Sequence, residues 1–197
     1  MPKLGMQPIR REALVRATIA EIGQAGSLDV TVAQIARRAG MSSALAHHYF
    51  GSKDQMFLAA MRHVMSIYGA EVRGALAAAT TARGRVEAIV RANFSTGSFR
   101  RDSVGAWLNF YVLAQTNDEA RRLLWVYQGR LRSNLTHALR EVVGGRARAV
   151  ADRVGAMIDG VYIREALRGG MPDGTKAARA VLEHLAAELG EAAEAGR

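Results

Sequence analysis

The chain has 197 residues, of which 49% are hydrophobic, and a formal net charge of +9. This composition can supply the core of one domain, or of a small domain joined to a larger one, and it argues against a disordered chain. The absence of cysteine excludes disulfide bonds, thiolate zinc sites and a cysteine nucleophile, and it is typical of a reducing cytoplasm.

No apolar segment reaches the ~18 residues that a membrane span needs, and residues 1–11 contain no apolar core of signal-peptide length. We therefore expect a cytoplasmic protein without a membrane partner. The net charge suits a polyanionic partner, although many proteins are basic. Its location is more informative, because residues 1–11 and 30–53 carry basic side chains and no acid, as contact with DNA phosphates requires. These side chains are Lys3, Arg10, Arg11, Arg37, Arg38 and Lys53.

Helical periodicity runs through nearly every segment, and no segment shows the sustained alternation of a strand. The first predicted helix covers about residues 8–24. Thr31 is suited to cap a second helix, with Gln34 at the capping-box position. Apolar residues then recur at helical spacing as far as Ala39, and Gly40 suits the left-handed turn that follows.

A long helix is predicted over about residues 53–78, and further helices follow it to the end of the chain. Their predicted ranges are about 83–96, 103–116, 119–143, 147–168 and 174–189. We therefore predict an all-α protein of about nine helices. Its first part, residues 1–52, is a three-helix helix-turn-helix domain that binds DNA, and residues 53–197 form a bundle for ligand binding and dimerisation.

Residues 31–50 meet the requirements of a helix-turn-helix, in which two short helices cross through a tight turn and the second exposes polar groups to base edges. Ser42 or Ser43 caps the third helix, and Ala44 is small enough for close packing. Thr31 lies at a helix N-terminus that favours anions, and Lys53 can contact a second phosphate. The alternative is an ordinary helical hairpin with a satisfied surface. The predicted DNA-binding residues are Arg10, Thr31, Gln34, Ser42, Ser43, Ala44, His47, His48, Tyr49 and Lys53.

This segment resembles the signature of TetR-type transcriptional repressors. The resemblance covers about the first sixty residues and rests on TVAQIA from Thr31, AGMS from Ala39, HYF from His48 and SK from Ser52. It implies an all-helical homodimer whose C-terminal bundle binds a small molecule and thereby releases a palindromic operator in double-stranded DNA. His47 stands where many members carry tyrosine, so the phosphate contact of that tyrosine does not carry over.

A narrower resemblance covers the whole chain and is to the choline-responsive members of this family, which repress glycine betaine synthesis. It rests on MPKLGMQ and IRR near the N-terminus, AQIARRAG from Ala33, AWL from Ala106, SNL from Ser133, and IDG from Ile158 followed by an aromatic residue and Arg164. The resemblance implies a repressor of choline-to-betaine genes, linked to osmotic stress, that choline releases from its operator.

A quaternary ammonium such as choline is held by aromatic faces and a negative field, because its nitrogen has no hydrogen to donate. Trp107 and Tyr111 are i, i+4 partners on one helix face. Asp159 stands in an apolar run and must be paired, protonated or open to a wet cavity. The alternative is that the rings are bundle core and that Asp159 bonds to an arginine or a helix end. The predicted ligand-binding residues are Phe94, Trp107, Tyr111, Asp159 and Tyr162.

Apolar stripes on the last two predicted helices favour a dimer surface, since one short recognition helix contacts too few base pairs to be specific. The alternative is burial within one chain. The stripes comprise Val150, Val154, Met157 or Ile158 and Val161 on the eighth helix, and Ala178, Val181, Leu182, Leu185 and Leu189 on the ninth.

The sequence shows no pattern typical of an enzyme, such as a glycine-rich phosphate loop after a strand, a triad or a carboxylate pair. His47 and His48 are adjacent, so a helix directs them about 100° apart and they are poor ligands for one metal. We expect no enzyme activity, metal or cofactor. Two alternatives to a choline response remain: a TetR-type repressor that answers another small molecule, and an architectural nucleic-acid binder without an effector.

Overall fold

The computed structural model describes residues 5–97 and 99–194, apart from the side chains of residue 166 and residues 191–194. This part of the chain contains nine α-helices and no strand, which confirms the predicted all-α fold of about nine helices. Lys3, in the first basic stretch, lies outside it. The helices are α1 Met6–Ala25, α2 Val32–Arg38, α3 Ser43–Phe50, α4 Lys53–Ala78, α5 Ala82–Asn93, α6 Arg101–Thr116, α7 Asp118–Val143, α8 Ala147–Leu167 and α9 Gly174–Glu194, with a 3-10 turn at Gly144–Arg146.

The helix bounds agree with the sequence prediction except at two ends: α5 stops at Asn93 rather than residue 96, and α9 continues to Glu194 rather than ending near residue 189. The Asn93 side-chain amide donates to the carbonyl of Ile89 at 2.8 Å, a local bond that favours a helix end over a helix interior. The Phe94 amide then bonds the carbonyl of Arg91 at 3.1 Å, which tightens the last turn. Phe94 therefore lies just outside the helix. Within the described ranges, no helix is long and apolar enough to cross a membrane.

The helices form two compact units. The first contains α1 to α3, the part of α4 up to Met65, and Arg101–Arg121, which holds α6 and the start of α7. The second contains the rest of α4 from Ser66, the segment up to Arg100, and the chain from Arg122 onward. These units are defined by packing, and they differ from the division at residue 52, which remains a prediction about function.

In the first unit, α1 and α6 are in backbone contact. A Cβ atom placed on Gly23 would lie 2.4 Å from the Cα atom and 2.5 Å from the carbonyl oxygen of Asp102, closer than any real Cβ contact. One placed on Gly105 would lie 3.2 Å from the Cα atom of Gly23. Only glycine at position 23 allows this approach, which lies beside a core shared by α1 to α4 and α6. The fully buried members of that core include Leu14, Ile22, Ile35, Ala46, Phe57 and Ala106.

In the second unit, the apolar stripes of α8 and α9 are already buried within the single chain. Val150, Val154 and Ile158 on α8 and Val181 on α9 have no exposed surface. The prediction that these stripes form the dimer surface is therefore wrong for most of their residues, and the alternative of intrachain burial holds. The physical reason is that the two helices satisfy their apolar faces within their own unit. The other buried stripe members are Ala178, Leu185 and Leu189, whereas Met157, Val161 and Leu182 are only half-buried.

Glu188 on α9 joins these helices through charge. Its two carboxylate oxygens accept from Nε and Nη2 of Arg153 at 2.6 and 2.7 Å, a bidentate pair with α8. Arg146, in the 3-10 turn, places Nη2 at 3.7 Å, and His184 lies one helical turn away at 3.9 Å. The hydrogen bond from Arg153, more than any other contact, holds the pKa of the Glu188 carboxyl below its usual value.

We expect Glu188→Gln to lower the free energy of unfolding by about 1 kcal/mol at pH 7, since the arginines are partly exposed and water screens the pair. A carboxyl whose pKa is depressed by folding stabilises the protein above its unfolded value of 4.5, and the benefit disappears as the pH falls below that value. Chemical unfolding of wild type and Glu188→Gln at several pH values from 7 to 3 measures the difference in free energy of unfolding. A difference that is constant with pH would contradict the assignment.

Candidate DNA interface and effector site

The start of α2 is fixed by a reciprocal capping box. The backbone N–H of Gln34 donates to Oγ1 of Thr31 at 3.2 Å, and the backbone N–H of Thr31 donates to the side-chain Oε1 of Gln34 at 2.7 Å. The Thr31 hydroxyl also donates to that oxygen at 2.8 Å. Both predicted residues are therefore brought together, and each hydrogen bond positions the first turn of the helix before any DNA is bound.

The turn between α2 and α3 confirms the helix-turn-helix geometry. Gly40 has a φ of 68°, a left-handed conformation that a side chain resists. The Met41 amide returns to the carbonyl of Ala36 at 2.9 Å, which closes the end of α2. Ser42 caps α3 by accepting from the Leu45 amide at 3.2 Å. Ser42, rather than Ser43, is thus the cap.

The exposed face of α3 is small and polar. Ala46 is its one fully buried residue, whereas Ala44, His47 and His48 are exposed and lie at i, i+3 and i+4 on one face. Nδ1 of His47 lies 3.1 Å from the carbonyl oxygen of Gly51, so in a neutral ring it carries the proton. Nε2 then remains as the hydrogen-bond acceptor of this exposed ring.

Tyr49 and Lys53 are less accessible than predicted. The Tyr49 ring is half-buried and packs against the core of the first unit, with the His48 ring edge-on at 5.5 Å. The Lys53 ammonium lies 3.4 Å from the carbonyl oxygen of Leu28 and 5.6 Å from the centre of the Phe57 ring. A phosphate contact by Lys53 would have to compete with both interactions.

Two arginines near this surface are explained by the fold and not by the sequence. Arg38 pairs with Glu21 on α1, an acid outside the acid-free stretch of residues 30–53, so tertiary contact partly neutralises this arginine. Arg11 on α1 donates to the Tyr49 carbonyl and stacks over the Phe50 ring at 4.4 Å. It therefore holds the C-terminal end of α3, a role that only the tertiary structure reveals. Of the remaining predicted residues, Arg10 and Ser43 are half-buried.

Three aromatic rings meet in the second unit. Phe94 and Tyr162, both predicted, lie with ring centres 6.4 Å apart, and Phe99 fills the space between them at 5.2 and 4.9 Å. Phe99 was not predicted, because it lies in the loop between α5 and α6, where no helical period singles it out. We call these three rings the aromatic cluster.

A second group of polar aromatics lies in the same unit, around Tyr68. Its ring meets the Tyr127 ring edge-on at 5.5 Å, and the Tyr127 hydroxyl donates to Oδ1 of Asn93 at 3.2 Å. Burial raises the pKa of Tyr68, and the negative charge of Asp159 acts in the same direction. The predicted acid therefore lies close enough to Tyr68 to act on it electrostatically, and one turn before Tyr162 on α8.

The other predicted ligand residues lie in the first unit. Trp107, which is 5% exposed, meets the Tyr111 ring edge-on at 6.0 Å, as their i, i+4 spacing predicts, and the Phe110 ring lies at 5.6 Å. The structure thus brings Trp107 to Tyr111, and Phe94 to Tyr162. No group of three or more side chains in the described ranges is arranged to hold a metal ion.

Comparison with known proteins identifies the family. Residues 14–60 match the family described as bacterial regulatory proteins, tetR family, and residues 82–190 match the BetI-type transcriptional repressor, C-terminal. The HTH-type transcriptional regulator BetI of Brucella suis is 50% identical over 190 residues, which are 96% of this chain and 96% of that protein. The chain is a BetI-type repressor of the TetR family. Its relatives regulate transcription, which confirms that it is not an enzyme.

Solved structures share this fold at lower identity. A putative transcriptional regulator from Pseudomonas aeruginosa PAO1 aligns with a TM-score of 0.80 and 24% identity, over 99% of this chain and 97% of that one. A putative transcriptional regulator from Saccharomonospora viridis, in complex with choline, aligns with a TM-score of 0.76 and 23% identity, over 88% and 93% of the two chains. These likenesses establish the fold.

Proposed function

We propose that this BetI-type repressor controls genes for the conversion of choline to glycine betaine, and that choline releases it from a palindromic operator. The observation that carries the proposal is the 50% identity, over 96% of both chains, to a regulator named BetI. The structural relative that holds choline supports the choice of ligand. A repressor acts where its operator lies, so we propose the cytoplasm as its place of action.

The DNA contact is proposed for the exposed face of α3. This face has no acidic side chain and no long side chain, so the helix can enter the major groove without electrostatic or steric repulsion. Its exposed residues are Ala44, His47 and His48. Nε2 of His47 accepts hydrogen bonds in the neutral ring, because Nδ1 donates to the Gly51 carbonyl. The capping residues Thr31, Gln34 and Ser42 fix the first turns of α2 and α3. The proposed DNA contact also keeps Arg10, Ser43, Tyr49 and Lys53.

Choline binding is proposed for the aromatic residues and Asp159. Phe94, Phe99 and Tyr162 present ring surfaces, and Asp159 lies one turn from Tyr162 on α8, so a trimethylammonium group there meets both π-faces and a negative charge. Trp107 and Tyr111 form an edge-to-face aromatic pair within the first unit, and their part in choline binding stays a prediction. We add two residues to the proposed set: Phe99, which contacts both predicted rings, and Tyr68, on which the charge of Asp159 acts.

A homodimer is proposed because α3 has eight residues and reads too few base pairs alone. Most residues of the apolar stripes predicted for the interface are buried within one chain. We therefore propose that a second copy contacts the surface of α8 and α9 that remains exposed. A Cβ atom on Gly160 would meet nothing within 4 Å. The groove there has both apolar and charged walls, formed by Met157, Gly160, Val161, Ala177 and Ala180 and by Arg164, Glu165, Arg168 and Lys176. Another helix can therefore approach closely at this point.

Within the first unit, a continuous set of contacts leads from Trp107 to the recognition helix. Trp107 lies two residues after Gly105 on α6, and Gly105 meets Gly23 of α1 backbone to backbone. Arg11, also on α1, holds the end of α3. We infer that a shift of α6 on ligand binding moves α1 and thereby α3, in addition to any movement of α4. Choline shifts this equilibrium only by its differential affinity for the released form.

We expect Asp159→Asn to leave operator affinity unchanged and to raise the choline concentration for half-release at least about tenfold, because an isosteric amide removes only the charge. The matched control is Asp152→Asn, an exposed acid on the same helix. Anisotropy of a labelled operator duplex, titrated with choline, gives both quantities. Equal choline requirements for wild type and Asp159→Asn would remove Asp159 from the site.

The same anisotropy assay distinguishes choline-controlled repression from the two alternative functions. A TetR-type repressor that answers another small molecule would bind a palindromic site and ignore choline, while that other molecule releases it. An architectural binder would bind duplexes of any sequence with a steep salt dependence and no preference for a palindrome.

A further inference from the structure

A basic cavity lies in the second unit, away from the aromatic cluster. It has a volume of about 640 Å³ and opens between the second half of α7, the 3-10 turn and the start of α8. Its walls carry Arg132, His137, Arg140 and Arg148 together with polar Asn134, and no carboxylate. Neither the DNA contact nor the effector site uses these residues.

The arginines are spaced to face one extended ligand. Arg132 and Arg140 are eight residues apart on α7, at i and i+8, so they lie on one face about 12 Å apart along the axis. Thr136 lies between them, and Gly129 leaves that side of the helix open, since a Cβ atom there would meet nothing within 4 Å. Arg148 faces them from the first turn of α8.

These three arginines form no ion pair with any described residue, unlike their neighbours. Arg146 and Arg153, on either side of Arg148, both reach Glu188. The first turn of α8 contains no acidic residue, so the positive end of the helix adds to the same field. Like charges gathered without a counter-charge repel one another, and an anion with several charged groups relieves that repulsion.

We propose that this cavity binds a ligand that carries two or more phosphate groups. A linear polyphosphate or a nucleotide can extend along the ~12 Å between Arg132 and Arg140 and accept forked hydrogen bonds from each guanidinium, without either side chain bending toward the other. The source is a free anion in solution rather than the backbone of DNA. The site is independent of choline and of the operator.

Inorganic tripolyphosphate is the probe, titrated into the full chain by calorimetry at low ionic strength, with ³¹P NMR line broadening as a second readout. We expect binding that weakens as salt is added, and an affinity at least about tenfold lower for Arg140→Gln/Arg148→Gln. The matched control is Arg122→Gln/Arg130→Gln, which removes the same charge from exposed positions of α7 that do not line the cavity. This control should bind like wild type.

Three results would overturn the proposal. One is the absence of both heat and line broadening with wild type. Another is equal weakening in the two double variants, which would reduce the effect to net charge. The third concerns the source of the phosphate. If Arg140→Gln/Arg148→Gln, but not the control variant, binds a labelled non-operator duplex more weakly while its affinity for tripolyphosphate is unchanged, the cavity contacts nucleic acid. Circular dichroism of each variant confirms that it is folded.

Discussion

Replacing Gly23 with alanine is expected to lower the free energy of unfolding by about 2 kcal/mol, a large effect for one methyl group. The added carbon would lie 2.4 Å from the Cα atom of Asp102, so the backbone of α6 must move away from α1. Because Arg11 on α1 holds the end of α3, we also expect weaker operator binding in the folded variant. Chemical unfolding and operator anisotropy measure the two effects.

The matched control is Gly74→Ala in α4, where a Cβ atom would meet nothing within 4 Å. The same chemical change should there stabilise the protein by up to about 1 kcal/mol, since alanine favours a helix interior over glycine. Opposite signs for the two substitutions would establish that contact, and not helix propensity, governs position 23. If Gly23→Ala is as stable as wild type and binds the operator equally well, the α1–α6 contact has no role in placing α3.

Replacing Ala44 with aspartate is expected to reduce operator affinity by about a hundredfold without loss of stability. Ala44 is exposed in the first turn of α3, where a carboxylate is favourable in the free protein because it faces the positive end of the helix. Against DNA the same charge meets phosphate and acceptor-rich base edges, which repel it. Operator anisotropy and thermal unfolding measure the two properties.

Ala44→Asn is the control, because it has nearly the same shape as aspartate and no charge. We expect it to lose far less affinity than Ala44→Asp. If the two variants bind equally well, the charge at position 44 does not face DNA. If both bind like wild type, α3 does not enter the groove on this face, and the helix-turn-helix must contact DNA elsewhere.

The sequence predicted the helix-turn-helix well because its determinants are local. Capping of α2 by Thr31 and Gln34, the left-handed Gly40 and the cap at Ser42 depend on residues within three or four positions of one another. Short-range patterns of this kind can be recognised from the sequence alone. The resemblance to TetR-type repressors, confirmed by the family matches, rests on the same residues.

Features that depend on distant residues could not be predicted. Nothing near Arg38 in the sequence indicates that Glu21 neutralises it, and nothing near Arg11 indicates that it reaches α3. The apolar stripes of α8 and α9 were correctly predicted, but periodicity does not indicate which surface buries them. Most of their residues are buried within the single chain. Phe94 and Tyr162 were both predicted as ligand residues, but their proximity and the contact of each with Phe99 depend on the tertiary fold.

The most direct test of the account is release of the protein from DNA by choline. A fluorescent duplex carrying a palindrome from the promoter of choline-oxidation genes is bound by the full chain and titrated with choline, and with ethanolamine as a control that lacks the quaternary ammonium. We predict that anisotropy falls to the value of free DNA with choline and stays high with ethanolamine. Anisotropy that is unchanged at every choline concentration, with the operator still bound, would contradict the proposed function.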